Sequence, residues 1–181
     1  MLEPQPIVII GGGHAAAQLC ASLVEAAQGG RVHLVCEEAE LPYHRPPLSK
    51  SFLKTALEPL QLHRAEAWYA EHGITLHRAD AAVAIDRAAQ CVRLRSGAVL
   101  RYGHLVLATG ARARRIPGLP EPLANVAFVR DAADARRLRA QLAAAPRLTV
   151  VGGGFIGLEV AASARALGST VSLVESAPRL L

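Results

Sequence analysis

Aromatic side chains, cysteines and long apolar runs are all scarce in this 181-residue sequence. Aromatics make up 4% of residues against 51% apolar overall, so a core has to be built from Ala, Val and Leu, which suits a soluble α/β protein. No apolar stretch approaches the roughly 20 residues needed to cross a bilayer, and no membrane association is expected. Met1 to Pro6 has no basic start followed by an apolar run, so no secretory signal is expected and the cytoplasm is the expected compartment. The three cysteines, Cys20, Cys36 and Cys91, form neither a close pair nor a metal-ligand spacing. That argues against a disulfide relay and fits reduced thiols in a core. The seven histidines are as dispersed, and no metal site is expected.

The formal charge of +5 comes almost wholly from arginine. Basic residues are not interleaved with aromatics and no nucleic-acid module is recognisable, so a nucleic-acid partner is not expected. A surface that attracts anionic cofactors or an acidic protein partner fits the charge better.

Pro6-Ile7-Val8-Ile9-Ile10 reads as a strand buried on both faces of a parallel sheet. Gly11-Gly12-Gly13-His14-Ala15-Ala16 follows at once, then apolar residues at helical spacing as far as Ala27, stopped by Gly29-Gly30. Arg31–Cys36 is a second strand with Glu37-Glu38 at its end, completing a β-α-β unit. A Pro-rich loop over Leu41–Ser51 leads into helices expected at Ser51–Leu57 and Ala65–His72. Short strands follow at Ala81–Asp86, Cys91–Arg95 and Ala98–Arg101, with Ser96-Gly97 as a hairpin turn, and then His104–Ala108, which ends in Thr109-Gly110. Arg112–Pro120 reads as an interdomain crossing whose arginines are mostly solvated. Beyond it come a short strand near Val126–Val129, a helix over Ala132–Ala143, and a strand at Arg147–Val151. That strand runs into Gly152-Gly153-Gly154-Phe155-Ile156-Gly157, a helix over Leu158–Leu167 and a strand over Thr170–Val174 ending at Glu175. The β-α-β unit has been repeated.

One G-x-G-x-x-G pattern is weak evidence, because glycines are common in tight turns. Here two copies each follow a buried strand, open a helix and precede an acidic strand end, which is the context of the dinucleotide fingerprint. The first glycine permits the turn, and the second admits the backbone close to a pyrophosphate. The third position, Ala16 or Gly157, keeps helix and strand close. The helix N-terminus offers unpaired N–H donors and partial positive charge to phosphate, and the carboxylate accepts hydrogen bonds from a ribose.

Two such units, separated by a small β-meander and an Ala-Thr-Gly strand end, resemble the two-dinucleotide-binding flavoprotein reductases. The segment Pro42-Tyr43-His44-Arg45-Pro46-Pro47-Leu48-Ser49-Lys50 is similar to a loop of the ferredoxin, rubredoxin and putidaredoxin reductases that serve bacterial oxygenases. The resemblance covers essentially the whole chain. It implies an α/β fold with two Rossmann-like units, an FAD-binding domain over 1–113 carrying the meander, and an incomplete NAD(P)-binding domain over 114–181. For FAD it implies contacts from Gly11, Gly13, His14, Ala15, Glu37, Arg45, Lys50, Val83, Ala108, Thr109, Gly110 and Arg130. For NAD it implies contacts from Gly152, Gly154, Phe155, Ile156, Gly157 and Glu175. Glu159 would lie beside the flavin and face Lys50 at the junction of the two lobes, the pair carrying the catalytic role.

A fixed cation such as Lys50 stabilises the electron-rich reduced ring of a flavin. The expected reaction is hydride transfer from NADH to FAD, with electrons passed on to an iron–sulfur ferredoxin or rubredoxin-type carrier. NADH is expected over NADPH, because Glu175 would face the 2′-phosphate of NADPH; Arg179 is the residue that argues the other way. Two alternatives stay open: a related flavin reductase with a small-molecule acceptor, and a truncated nucleotide-binding module without turnover. A flavin disulfide or peroxide reductase would need a cysteine near the flavin, and the loop around Lys50 has none. Complete members of the resembled family continue well past Leu181, so the sequence reads as part of a longer protein.

Overall fold

The structure is a computed structural model describing residues 5–118, 123–144 and 147–181. The chain forms two compact units, one made of Met1–His44 and Gln61–Ala111, the other of Arg45–Leu60 and Arg112–Leu181.

In the first unit, β1 (Ile7–Ile10) is central because every side chain on it is apolar and can be buried on either face. It pairs in parallel with β2 (Val32–Val35) and with β7 (His104–Leu107), and β3 (Thr75–His77) adds to β2, giving the order β3-β2-β1-β7. The period-2 alternation of β1 then sorts the core. Ile7 and Ile9 join the cluster holding Ala16 and Cys20 of helix α1 (His14–Glu25), while Val8 and Ile10 join Val92 and Leu94 on the opposite face. Val92 and Leu94 belong to a meander of β4 (Ala82–Asp86), β5 (Cys91–Leu94) and β6 (Val99–Arg101), antiparallel in the order β4-β5-β6. A short helix, α3 (Glu66–Glu71), buries Tyr69.

The second unit repeats the strand–helix–strand plan: β8 (Arg147–Val151), α5 (Phe155–Ala166) and β9 (Thr170–Val174), the strands parallel. Helices α2 (Ser51–Lys54) and α4 (Ala132–Ala144) pack beside it, and Leu53, Leu138, Leu142, Val160 and Ala164 form its core. Residues 45–60, read from sequence as part of the first domain, make their contacts with this unit, and the later boundary falls at Ala111/Arg112. Leu53, fully buried among the α4 and α5 side chains, accounts for that assignment.

Several sequence expectations are corrected. Val126–Val129 forms no strand: the only ladder of this unit among the described residues is β8–β9, and Val129 instead packs on the Leu53 cluster. Helix α2 ends at Lys54 instead of Leu57, because Thr55 turns extended and its hydroxyl accepts the Leu57 N–H at 3.1 Å. The carbonyls of Phe52 and Thr55, left open by that ending, are taken up by Arg139 Nη1, each at 2.8 Å. A helical turn at Pro46–Ser49 interrupts the Pro-rich loop. Arg115 lies over the Phe128 ring at 4.5 Å, so the crossing is more than solvated arginines; its end at Pro120 falls outside the described residues, as does Met1–Pro4. Among the described residues no helix is long and apolar enough to cross a membrane.

Cys20 and Cys36 are buried in the first core, and loss of hydration pushes their thiols up to about 11 and about 12. Both are therefore thiols near neutral pH, without nucleophilic character. Labelling the native protein with a chromogenic disulfide reagent should modify the half-buried Cys91 alone, with Cys20 and Cys36 reacting only after denaturation; fast native labelling of Cys36 would contradict this account.

Candidate functional site

The two glycine-rich turns separate into positions closed by the fold and positions left open. Gly11 adopts φ of 122°, and a Cβ there would stand 2.1 Å from the Ala108 carbonyl oxygen, so only glycine lets β7 end against this turn. Gly157 is closed in the same way, its Cβ falling 2.1 Å from the Gly152 carbonyl oxygen. Gly13 and Gly154 differ: a Cβ on either would meet nothing within 4 Å. Each is the N-cap of its helix, α1 or α5, with no side-chain cap and no acidic residue in the first turn. The first N–H groups of a helix have no acceptor within it, and an N-cap glycine with open space beside it suits an approaching anion. Phe155 and Ile156, large apolar residues on the first turn of α5, are exposed.

Glu175 ends β9 with its carboxylate fixed by the backbone. Oε2 accepts the Gly153 N–H at 2.6 Å and Oε1 accepts the Ala177 N–H at 2.8 Å. These backbone bonds, Ala177 first and then Gly153, with the Ser176 hydroxyl, pull its pKa down to about 2, so it is ionised at any physiological pH. The two units do not superpose residue for residue here. Ile10 pairs with Val35 and Val151 with Val174, so the position after the strand is Cys36 in one unit and Glu175 in the other. Glu37 lies one residue further on, exposed, with Arg95 Nη2 at 3.2 Å. A Cβ on Gly12 would meet Cys36 Sγ at 2.8 Å, whereas one on Gly153 would meet Glu175 Oε2 at 3.2 Å.

Of the other expected flavin contacts, Val83 occupies the register slip between Ala82 and Ala84 and is exposed, as a bulge residue aimed off the ladder should be. Ala108 donates its N–H to Ile10 at 2.8 Å, Thr109 follows it at the surface, and Gly110 turns with φ of 67°. His14 and Ala15 form the exposed first turn of α1. Arg45 and Arg130 are brought together: Arg45 Nη1 donates to the Arg130 carbonyl at 2.8 Å, and the Arg130 N–H donates to Asp134 Oδ2 at 3.0 Å.

Lys50 Nζ lies 3.1 Å from Glu159 Oε1. Both belong to the second unit, where the turn carrying Lys50 is fastened to α5. Ser49 Oγ donates to Glu159 Oε2 at 2.5 Å, and Ser163 Oγ, one turn along the helix, donates to the Ser49 carbonyl at 2.7 Å. The Ser49 bond and then Lys50 hold the Glu159 pKa below the ordinary carboxylate range. Sequence reading missed both serines; the signals were Ser49 preceding Lys50 and Ser163 standing four residues after Glu159. It also missed that His14, His44 and His63 converge, with ring centroids 3.9 to 6.2 Å apart. Burial and the neighbouring rings of His44 and His14 lower the His63 pKa. No local spacing could have shown this, since the Tyr43–Leu62 bridge is what joins the second and third of them.

Two strand–glycine turn–helix–strand units, each with an open helix N-terminus, define a duplicated α/β protein of the dinucleotide-fold class. The chain belongs to the pyridine nucleotide-disulphide oxidoreductase family, whose model matches residues 5–181. It is 44% identical over 181 residues to the ferredoxin–NAD(+) reductase component of the anthranilate 1,2-dioxygenase system of Burkholderia cepacia, a match covering 99% of this chain and 45% of that protein. Among solved structures it is similar to a ferredoxin reductase from Rhodopseudomonas palustris, with a TM-score of 0.91 and 42% identity over 98% of this chain and 44% of that one. It is also similar to putidaredoxin reductase in its covalent complex with putidaredoxin, with a TM-score of 0.85 and 39% identity over 98% of this chain and 43% of that one. The chain thus spans less than half the length of these relatives.

The closed and open glycines should respond differently to one added methyl group. Gly11→Ala forces a side chain into a positive-φ turn against the Ala108 carbonyl and should cost at least about 1–3 kcal/mol of stability. Gly13→Ala adds a methyl group to open space and should stay within about 0.5 kcal/mol of the parent. Paired chemical denaturation curves check this, and a Gly13→Ala loss as large as that of Gly11→Ala would contradict it.

Proposed function

We propose that the protein is an FAD-dependent oxidoreductase that passes electrons from NADH to a ferredoxin- or rubredoxin-type carrier of an oxygenase system. The observation that carries the reading is the pair of open glycines, Gly13 and Gly154, at uncapped helix N-termini. Intramolecular packing gives no reason for glycine at either place, while the approach of a pyrophosphate to the backbone does. The residues present therefore fit two dinucleotides.

In this proposal the N–H groups of Gly13, His14 and Ala15 bind the FAD pyrophosphate. Glu37 takes the adenosine ribose, and Gly11, Val83 and Ala108-Thr109-Gly110 shape the rest of the site. Arg45, Lys50 and Arg130 remain assigned to FAD on the resemblance alone, since their contacts lie in the second unit. Gly152, Gly154, Phe155, Ile156 and Gly157 bind the NADH pyrophosphate, and Glu175 takes its adenosine ribose. In sequence terms 1–113 supply the FAD-binding part and 114–181 part of the NAD-binding domain, with residues 45–60 packed in the second unit. FAD, when bound, supplies the exchange between a two-electron donor and a one-electron acceptor. Lys50 contributes a fixed positive charge, which Glu159 and Ser49 hold in place. The names of the relatives support the partner: two are ferredoxin reductases, and putidaredoxin reductase was captured on its own carrier. We place the protein in the cytoplasm, where the unpaired Cys20, Cys36 and Cys91 stay reduced.

Glu175, already ionised and anchored to Gly153, accepts hydrogen bonds from both ribose hydroxyls and repels a 2′-phosphate. The full-length enzyme, purified yellow, should therefore show a higher kcat/KM for NADH than for NADPH, and Glu175→Ala should narrow the difference. Equal or better use of NADPH by the parent would assign control of the pocket to Arg179. Lys50→Ala should slow NADH-driven bleaching of the flavin by roughly ten- to a thousand-fold in stopped flow, and an unchanged rate would remove Lys50 from the mechanism. In the same assays, turnover only with a small-molecule acceptor, or flavin binding without NADH oxidation, would overturn the carrier assignment.

A further inference from the structure

His14, His44 and His63 are separated by 30 and 19 residues in the chain, yet one nitrogen from each lies within 4.8 Å of the others in the first unit. We propose that these three side chains form a binding site for a divalent transition-metal ion of the zinc type. Each is placed by its own piece of backbone. His14 opens α1, and His44 and His63 flank the isolated antiparallel bridge Tyr43–Leu62. That bridge is locked by the His44 N–H to the Gln61 carbonyl at 2.8 Å and the His63 N–H to the Pro42 carbonyl at 2.9 Å. The rings of His44 and His63 approach to 3.9 Å between centroids, and those of His14 and His63 to 4.9 Å.

A second observation points to a ligand. Nε2 of His63 is buried and has no hydrogen-bond partner among the described residues. Buried polar atoms are normally satisfied, and an unpartnered nitrogen on a ring that packs against two further imidazoles has a metal ion as a ready partner. Zn–N bonds of about 2.0–2.1 Å in a tetrahedral site place ligand nitrogens roughly 3.3 Å apart, so the cluster has to contract by about 1–1.5 Å. His14 and His44 are exposed and can make that change by rotating their side chains. Three protein nitrogens leave one tetrahedral position on the exposed side for water or another oxygen ligand, the form of an open zinc site. An all-imidazole set selects zinc, copper or nickel over magnesium or calcium, which prefer oxygen.

The inference goes beyond the electron-transfer reading: it uses the His14 imidazole where that reading uses only the His14 backbone N–H, and the test reads metal binding by the protein as purified, whatever its flavin content. Tag-free protein, stripped with a chelator, is titrated with Zn2+ by calorimetry and with Co2+ by visible spectroscopy. One equivalent of Zn2+ should bind, and Co2+ should show the ligand-field bands of a nitrogen-bound four-coordinate ion. His14→Ala, His44→Ala and His63→Ala should each weaken Zn2+ binding by more than about 100-fold, beyond the loss typical of an outer-shell partner. His104→Ala, on the exposed start of β7, should bind as the parent does. If His63→Ala fails to fold, the two exposed positions decide the matter. No saturable Zn2+ binding by the parent, or unchanged binding in His14→Ala and His44→Ala, would overturn the site.

Discussion

The burial of β1 on both faces is the constraint from which the first unit follows. Four consecutive apolar residues leave no solvated side to the strand, so one face must take a helix and the other a second layer. Small residues of α1, Ala16 and Cys20, answer Ile7 and Ile9; Val92 and Leu94 of the meander answer Val8 and Ile10. With both faces filled, the C-terminal end of β1 is where the chain has to turn sharply, and the Ala108 carbonyl is already packed against that turn. The glycine at position 11 is therefore a packing requirement before it is a binding feature. At Gly13, two residues later, packing asks for nothing, and that is where the proposed ligand chemistry would enter.

Much of this was legible in the sequence, because strands and helix starts announce themselves locally. The run from Ile7 to Ile10, the glycine turns and the hairpin at Ser96-Gly97 follow from periodicity and turn chemistry alone. Most of what was not legible depends on partners distant in sequence. Val126–Val129 has strand-like composition, yet a strand exists only where a neighbour completes its ladder. Thr75–His77 shows the converse: three residues with no clear pattern become the edge strand because β2 offers them a template. Thr55 ended α2 through its own hydroxyl, a competition that a propensity sum does not register.

The residues of the candidate site were legible only in part. The fingerprint glycines and the acidic strand ends could be named from spacing, but spacing equated Glu37 with Glu175. The register separates them by one residue and puts Cys36 in the place Glu175 holds. One carboxylate is thereby fastened by backbone N–H groups, while the other lies at the surface beside Arg95. Lys50 and Glu159 could be paired from the resemblance; the two serines that fix their geometry could not, since a hydroxyl's role is set by what the fold places within reach.

The attachment of residues 45–60 to the second unit makes that unit discontinuous in sequence. The chain passes between the units at His44/Arg45, Leu60/Gln61 and Ala111/Arg112. A recombination breakpoint at any one of these places therefore cannot exchange a whole unit. A swap that began at Arg112 would import α4 and α5 from one parent and leave Leu53, Ser49 and Lys50 to the other, dividing both the apolar cluster and the Ser49–Glu159–Ser163 fastening between two ancestries. The short Pro-rich segment and the distant helix α5 form one packed element, and the spacing between them in the chain is no guide to that contact.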